Sequence, residues 1–446
     1  MKKIISFSLC IALSALTLCA CGDSTQMSSK ENLSKNYTRS TDIGQTYNFK
    51  DGATDSPSSY NEFKNEITDF ELKYFRNSFK ENSDSMFVTA PVNIVAELGV
   101  LANGASKDSQ TEIINALGDD INLTAINECM SYFMSRIQAV AEMESDKTDE
   151  LTGKKITSNS TSYVKLKEAL VFNDTLDVKS KFLQTNSDYY GLDIFRINFS
   201  DENSLQKLNN VFGEFSNKAV DSLDSENKLI SVFGSDICDT WLNAYSQDDI
   251  SEGIFKASSG DKTLNFMTSN ESYMHTNTAQ GVLKYTSKTP LKMLFIMPNE
   301  DTTLDEYISN FTSLEYQNLF TSIDITKKVT AKIPEFSIDS KNTATNITKA
   351  VSNSGLYTLF TEDSTFANLT NSTEFVFDNM FEISPKLTVN AAGIGGTSSN
   401  DATHILGKRT TELESTDTTV EFNRPFVFMV VDNETNIPIY MGTVDL

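Results

Sequence analysis

A chain of 446 residues with 39% hydrophobic and 10% aromatic content has the material for a large folded core, in one domain or in two or three. A formal charge of −24 and no clustered Lys or Arg exclude recognition of a phosphate backbone, which needs neutralising cations. The same acidity favours solubility and would steer basic partners toward the surface.

Met1-Lys2-Lys3 is a basic start, and the apolar run from Ile4 to Leu18 is too short to anchor comfortably across a bilayer. Residues 1–20 therefore read as a secretory signal peptide. Leu18-Cys19-Ala20-Cys21 resembles the bacterial lipobox, in which the signal is cut before the last Cys and that thiol carries a diacylglycerol. The resemblance implies Cys21 as the lipidation site and an extracellular, membrane-anchored cell-surface location. The other reading is a plain secretory signal followed by an incidental Cys. Residues 21–60 are rich in Ser, Thr, Asn, Asp and Lys and read as a flexible polar tether, since they carry too little apolar surface to offset their ordering entropy. Of the cysteines beyond this point, Cys129 and Cys238 are too isolated for a disulfide framework and read as free thiols packed as small hydrophobes.

The folded part is expected over residues 61–446 as a single domain. Phe63, Ile67, Phe70 and Tyr74, spaced by three and four, predict an amphipathic helix. Phe87 to Ile94 leads into a mostly apolar helix that ends near Gly104, and Ser109-Gln110-Thr111-Glu112 has the spacing of a capping box. The polar stretch from Glu142 to Ser160 reads as an inserted surface loop. Leu291 to Met297, broken only by Lys292, has strand length, and Val329, Ala331 and Ile333 alternate as a strand does. Phe426 to Val431 and Ile437 to Val444, joined by a polar turn, predict a buried hairpin.

Between Gly393 and Thr419 the only large apolar residues are Ile394, Ile405, Leu406 and Leu413. A connection longer than roughly 12–15 residues without structure of its own is usually functional or disordered. Val389-Asn390 with Gly393 closely following, and Val420-Glu421-Phe422-Asn423-Arg424-Pro425-Phe426, resemble the two flanks of the reactive-centre loop of serpins. The run from Phe87 to Ala116-Leu117-Gly118, the segment from Leu229 to Trp241, Pro334-Glu335-Phe336 and Met441-Gly442 are similar to other signatures of that family. Some positions depart from it. Ala90 and Asn93 stand where the family has small serines, Phe233 where it has a buried Asn, and Asp239 where its Gly-x-Trp pattern begins. Ala391-Ala392 replaces two acids.

The resemblance implies an α+β serpin fold, with one large mixed sheet, two smaller sheets, about eight or nine helices and an exposed loop at about 391–419. It also implies an extracellular suicide inhibitor of serine proteases, which cut the loop and are trapped as it inserts into the large sheet. Rival readings are a non-inhibitory relative cut only as a substrate and a surface lipoprotein that binds solutes. Gly393, Ile394, Gly395, Gly396, Thr397 and Ser398 form the expected hinge, with an alternative register that starts at Gly396-Thr397. Side chains of a strand alternate between faces, so Ile394, Gly396, Ser398, Asn400 and Ala402 share one face, and none is charged. Counting from both flanks places the attacked bond between Gly407 and Glu414. The bond between Arg409 and Thr410 suits a trypsin-like protease, whose pocket holds a carboxylate. Lys408 offers the same chemistry. Leu413 would suit a chymotrypsin-like enzyme, and Thr410 or Thr411 an elastase-like one.

Enzyme signatures are missing from the sequence, including G-x-S-x-G, H-E-x-x-H, a P-loop and C-x-x-C. No catalytic residue, metal or cofactor is expected. The expected partners are a serine protease and, through the N-terminal lipid, a membrane, with the chain monomeric and no nucleic acid bound.

Overall fold

The computed structural model of the chain describes residues 25–40, 60–82, 86–148, 155–213, 220, 222–324, 326–340, 343–373, 375–377, 380–382, 385–395 and 413–446. Its helices are α1 (Tyr60–Glu81), α2 (Pro91–Gly104), α3 (Lys107–Leu117), α4 (Leu123–Ile137), α5 (Ser180–Tyr190), α6 (Ser204–Val211), α7 (Leu304–Ser309), α8 (Ser313–Thr321) and α9 (Ala344–Asn353). The first strands are β1 (Phe87–Thr89), β2 (Ala139–Thr148), β3 (Lys155–Asn173), β4 (Asp193–Ile197), β5 (Leu229–Thr240), β6 (Ile250–Ala257), β7 (Gly260–His275), β8 (Ala279–Tyr285) and β9 (Leu291–Pro298). They are followed by β10 (Lys328–Pro334), β11 (Phe336–Asp339), β12 (Phe381–Glu382), β13 (Lys386–Asn390), β14 (Gly393–Gly395), β15 (Thr419–Glu421), β16 (Phe426–Asp432) and β17 (Pro438–Val444).

Sheet A runs β11-β13-β14-β5-β3-β2, with β12 beside β5 and β4 beside β3. Sheet B runs β1-β17-β16-β9-β8-β7-β10-β15, with β6 beside β7. Both are mixed, since β3 with β4, β5 with β12 and β10 with β15 are parallel. The two smaller sheets implied by the resemblance are joined here. β7 is long enough to pair with β6 over Gly260–Met267, with β10 over Phe266–Ser272 and with β8 over Ser272–His275.

The amphipathic spacing in α1 is realised, with Phe63, Ile67, Phe70 and Tyr74 all buried. α2 is apolar nearly all round because it is enclosed: Ile94, Val95, Leu98 and Leu101 are fully buried in a central core between sheet A, the helices and part of sheet B. A second cluster packs α7 and α8 on sheet B, and a third packs α6 with β4 on the outer face of sheet A.

Three local expectations change. Glu142 to Ser160 is not a surface loop where it is described, because β2 and β3 pair antiparallel from Ala139↔Val164 to Thr148↔Lys155. The polar sequence reads as a loop by composition, but polar and charged residues are also what an exposed sheet edge carries. Ser109 and Glu112 do not cap a helix start, since α3 begins earlier at Lys107. Their side chains instead hold the 358–365 segment, with Ser109 Oγ accepting from Thr365 N at 2.8 Å and Glu112 accepting from Thr358 N at 2.8 Å.

The third change concerns the stretch read as a tether. Residues 25–40 lie along the domain. Leu33 N donates to Ile194 O and Arg196 N to Glu31 O, both at 2.8 Å, so the segment pairs with the free edge of β4. Lys207 on α6 pairs with Glu31 at 2.8 Å, and Met27, Leu33 and Tyr37 pack against the adjoining clusters. Such a segment cannot build a core of its own, but an edge strand offers it main-chain hydrogen bonds without one.

Candidate functional site

Sheet A is split along one line. β14 is antiparallel to β13 on one side and to β5 on the other, and pairs Gly393, Ile394 and Gly395 with Thr240, Asp239 and Cys238. At the other end of the same line β12 pairs directly with β5 at Val232 and Phe233. Among the described residues no strand faces Gly234–Ile237 on this side. The sheet is therefore wedged open at one end by three residues of the segment that follows β13.

The turn into β14 is built locally. Asn390 Oδ1 accepts from Ala392 N at 2.9 Å and Gly393 N at 3.2 Å, an Asx turn that reverses the chain within two residues. Glu335 Oε1 accepts from Ala391 N at 3.2 Å. The Ala391 side chain is buried, so an acid there would bury a charge, which accounts for the small residue in its place. Gly393 has no room for anything larger: an added Cβ would lie 1.9 Å from the Asp239 carbonyl oxygen and 2.8 Å from Thr240 Cα. Ile394 is buried with the central core, on the same face as its partner Asp239.

The mouth of the cleft is braced by polar and aromatic groups. Trp241 is buried, and its Nε1 donates to Asn390 O at 2.8 Å, joining the end of β5 to the end of β13. Lys284 on β8 donates to Glu271 on β7 at 2.5 Å, and its ammonium lies 5.2 Å from the Trp241 ring centre and 4.3 Å from that of Tyr245. Burial pushes the Lys284 ammonium down, but Tyr245 and Glu271 more than offset this and hold it above its ordinary value.

Below the mouth, Phe233 is core, and the polar link across the interior is made two residues away. Asn93 Nδ2 donates to Ser235 Oγ at 3.0 Å, and Tyr440 OH to Ser235 O at 2.8 Å. Glu168, opposite Phe233 on β3, is fully buried, and desolvation drives its carboxyl well above the usual range against a weaker pull from Ser231. Cys238 is half-buried opposite Gly395 and Cys129 is buried; burial pushes their thiols up to about 11 and about 12.

Leu413 is half-buried beside a fixed point: Glu414 N donates to Asn270 Oδ1 at 2.8 Å. β15 then joins β10, and Phe422 stacks into a cluster with Phe295 and Phe426. Of the residues singled out in the sequence, Gly393, Ile394 and Gly395 are brought together with Trp241 and Asp239. Gly396, Thr397, Ser398, Lys408, Arg409, Thr410, Thr411 and Cys21 lie outside the described residues. Sequence reasoning missed Asn390 as the turn former, Glu335 as its brace and the Lys284–Glu271 pair. Only an Asn at a strand end hinted at the first, and the others have no sequence signal because their partners are remote.

A sheet wedged open at one end by the segment that follows β13 marks out a class. The sequence model of the serpin family, serine protease inhibitors, matches residues 65–445, and the chain belongs to this family. The chain is similar to the alpha-1-antiproteinase of Mus saxicola, with 20% identity over 405 residues covering 87% of this chain and 90% of that protein. The plasma serine protease inhibitor of Mus musculus is 22% identical over 398 residues, covering 86% of this chain and 88% of that protein. Among solved structures, the thermophilic serpin tengpin in its native state superposes with a TM-score of 0.75 at 22% identity, covering 94% of this chain and all of that one. Thyroxine-binding globulin in complex with thyroxine gives 0.68 at 18% identity, covering 86% and 98%.

Proposed function

We propose that the chain is a suicide inhibitor that traps a serine protease by completing β14 as a full strand between β13 and β5. The observation that carries this reading is β14 itself, whose three residues already occupy the cleft. Continued in the same register, Gly396 would face Ile237, Ser398 would face Ser235 and Asn400 would face Phe233 on the core side. None of these core-side residues is charged, and a buried unpaired charge there would cost several kcal/mol.

In this mechanism the protease serine Oγ bonds to the Arg409 carbonyl carbon, and the bond from that carbon to Thr410 N breaks. The new amine takes the proton, and the protease remains as an ester on Arg409. Insertion of the cut loop carries the protease along sheet A before water can hydrolyse the ester. Incubation with trypsin-, chymotrypsin- and elastase-like enzymes on a denaturing gel tests the reading. A covalent complex with the trypsin-like enzyme and a released fragment that begins at Thr410 are expected. Cleavage of the loop without any complex would refute inhibition, and a fragment beginning at another residue would refute the choice of bond.

We also propose that Cys21 carries a lipid that holds the protein at the outer face of a membrane. Asn210 Nδ2, on α6, donates to Thr25 O at 2.8 Å. Four residues span at most ~14 Å, so a lipid on Cys21 would hold the α6 end of the domain close to the bilayer rather than at the end of a long tether. β4 lies beside the part of β3 that pairs with Leu229–Val232, whereas β14 pairs with Cys238–Thr240 at the opposite end of β5. The hinge end of sheet A would then face away from the membrane, where a soluble protease can reach it.

A further inference from the structure

Asp239 stands where the family's Gly-x-Trp pattern has its glycine, and its side chain is only 3% exposed. Oδ1 accepts from Ser162 Oγ at 2.8 Å and Thr240 N at 2.7 Å. Oδ2 accepts from Lys288 N at 3.0 Å, Thr289 N at 2.7 Å and Thr289 Oγ1 at 2.7 Å. These bonds join β3, the end of β5 and the β8–β9 turn into one unit. The same turn is tied to β5 through Ser287 N, which donates to Thr240 O at 2.8 Å, and through Leu242 N, which donates to Tyr285 O at 3.0 Å. All of these groups belong to the β5 rim of the cleft. The backbone they fix is the surface on which the hinge rests, since Gly393 packs against the Asp239 carbonyl with no space for a Cβ.

We infer that Asp239 is a positioning residue that clamps this rim in the placement that holds Gly393–Gly395 in the cleft, so that loop insertion starts three residues advanced. This rests on the proposed inhibitory mechanism only for its consequence, not for the clamp. All five of its partners are donors, so the side chain must accept throughout. Asp239→Asn turns an NH2 group toward donors whichever way the amide lies, and Asp239→Gly removes the clamp altogether. In either variant the Lys288–Thr289 part of the turn loses its side-chain anchor on β5, the placement of the Asp239 carbonyl relaxes and β14 loses its template. Insertion then starts from outside the cleft and is slower, so more loops are cut and released before the protease is trapped.

Hydrogen exchange on the free full-length protein tests the clamp without any protease. In Asp239→Asn and Asp239→Gly, the Ile394 and Gly395 amides and those of Lys288 and Thr289 should exchange about tenfold faster or more, while Ile230 to Ile237 keep their protection. Emission of Trp241, the single tryptophan, should shift as its bond to Asn390 is lost. Should both variants fail to fold, Ser162→Ala and Thr289→Val each remove one donor and should show the same pattern at smaller amplitude. Unchanged protection at Ile394 and Gly395, or a loss spread equally through β5 as global destabilisation would give, overturns the inference. With a protease that forms a covalent complex, the variants should also consume several molecules per enzyme where the parent consumes fewer. If exchange responds as expected but no protease is ever trapped, the inhibitory reading fails and the clamp stands.

Discussion

The Lys284–Glu271 pair allows a quantitative test of how the mouth of the cleft is held. The side chains are 2% and 6% exposed, so neither charge has water to fall back on. Lys284→Met keeps the aliphatic length and removes the ammonium, leaving the Glu271 carboxylate buried without its cation. Breaking a buried pair in this way costs about 3–5 kcal/mol, and loss of the ammonium over Tyr245 and Trp241 adds roughly 0.5–2 kcal/mol. The double variant Lys284→Met with Glu271→Leu removes both charges and should recover most of the loss. Urea unfolding of all three proteins, followed by Trp241 emission, measures this. A single-variant deficit below about 1 kcal/mol would refute the assignment of a tight buried pair.

Loop cleavage gives a second prediction. Of the twelve residues in β5, three pair with β14 and two with β12 on this side, which among the described residues leaves seven to gain a partner. Even a net gain of ~3 kcal/mol would raise the melting midpoint by roughly 4 °C in a domain of this size, and an unchanged midpoint in the cleaved protein would argue against insertion. Gly396→Arg should abolish trapping while leaving the loop cleavable, because the inserting strand would carry a charge into the core; a normal yield of covalent complex would count against the register. Glu168→Gln should flatten the pH dependence of stability. Its raised folded value means that stability falls as pH rises from 4.5, by at most ~1.4 kcal/mol per unit for one proton, and identical profiles would show that this carboxyl is not driven neutral. Cys21→Ser should move the protein from the membrane to the soluble fraction. Parent protein that is already soluble and unlipidated by mass spectrometry would refute the anchor.

The sequence by itself determined the family and the framework. The apolar spacing of Phe63, Ile67, Phe70 and Tyr74, the mostly apolar helix that ends near Gly104 and the Val420 to Phe426 run are local patterns, and local patterns survive in a linear reading. So did the place of Trp241, because a short motif carried it. Tertiary structure decided what depends on partners far apart in the chain. Residues 25–40 have little apolar content, yet they dock because β4 leaves an edge open. Ser109 and Glu112 have cap spacing, yet they bind Thr365 and Thr358, more than two hundred residues away. Asp239 reads in the sequence as a lost glycine. Its five donors come from Ser162, its own neighbour Thr240 and the turn at Lys288 and Thr289, and only folding brings them round one carboxylate. Hydrogen-bond satisfaction of a buried polar group is a property of the assembled surroundings, so no periodicity or motif in the chain could have announced it.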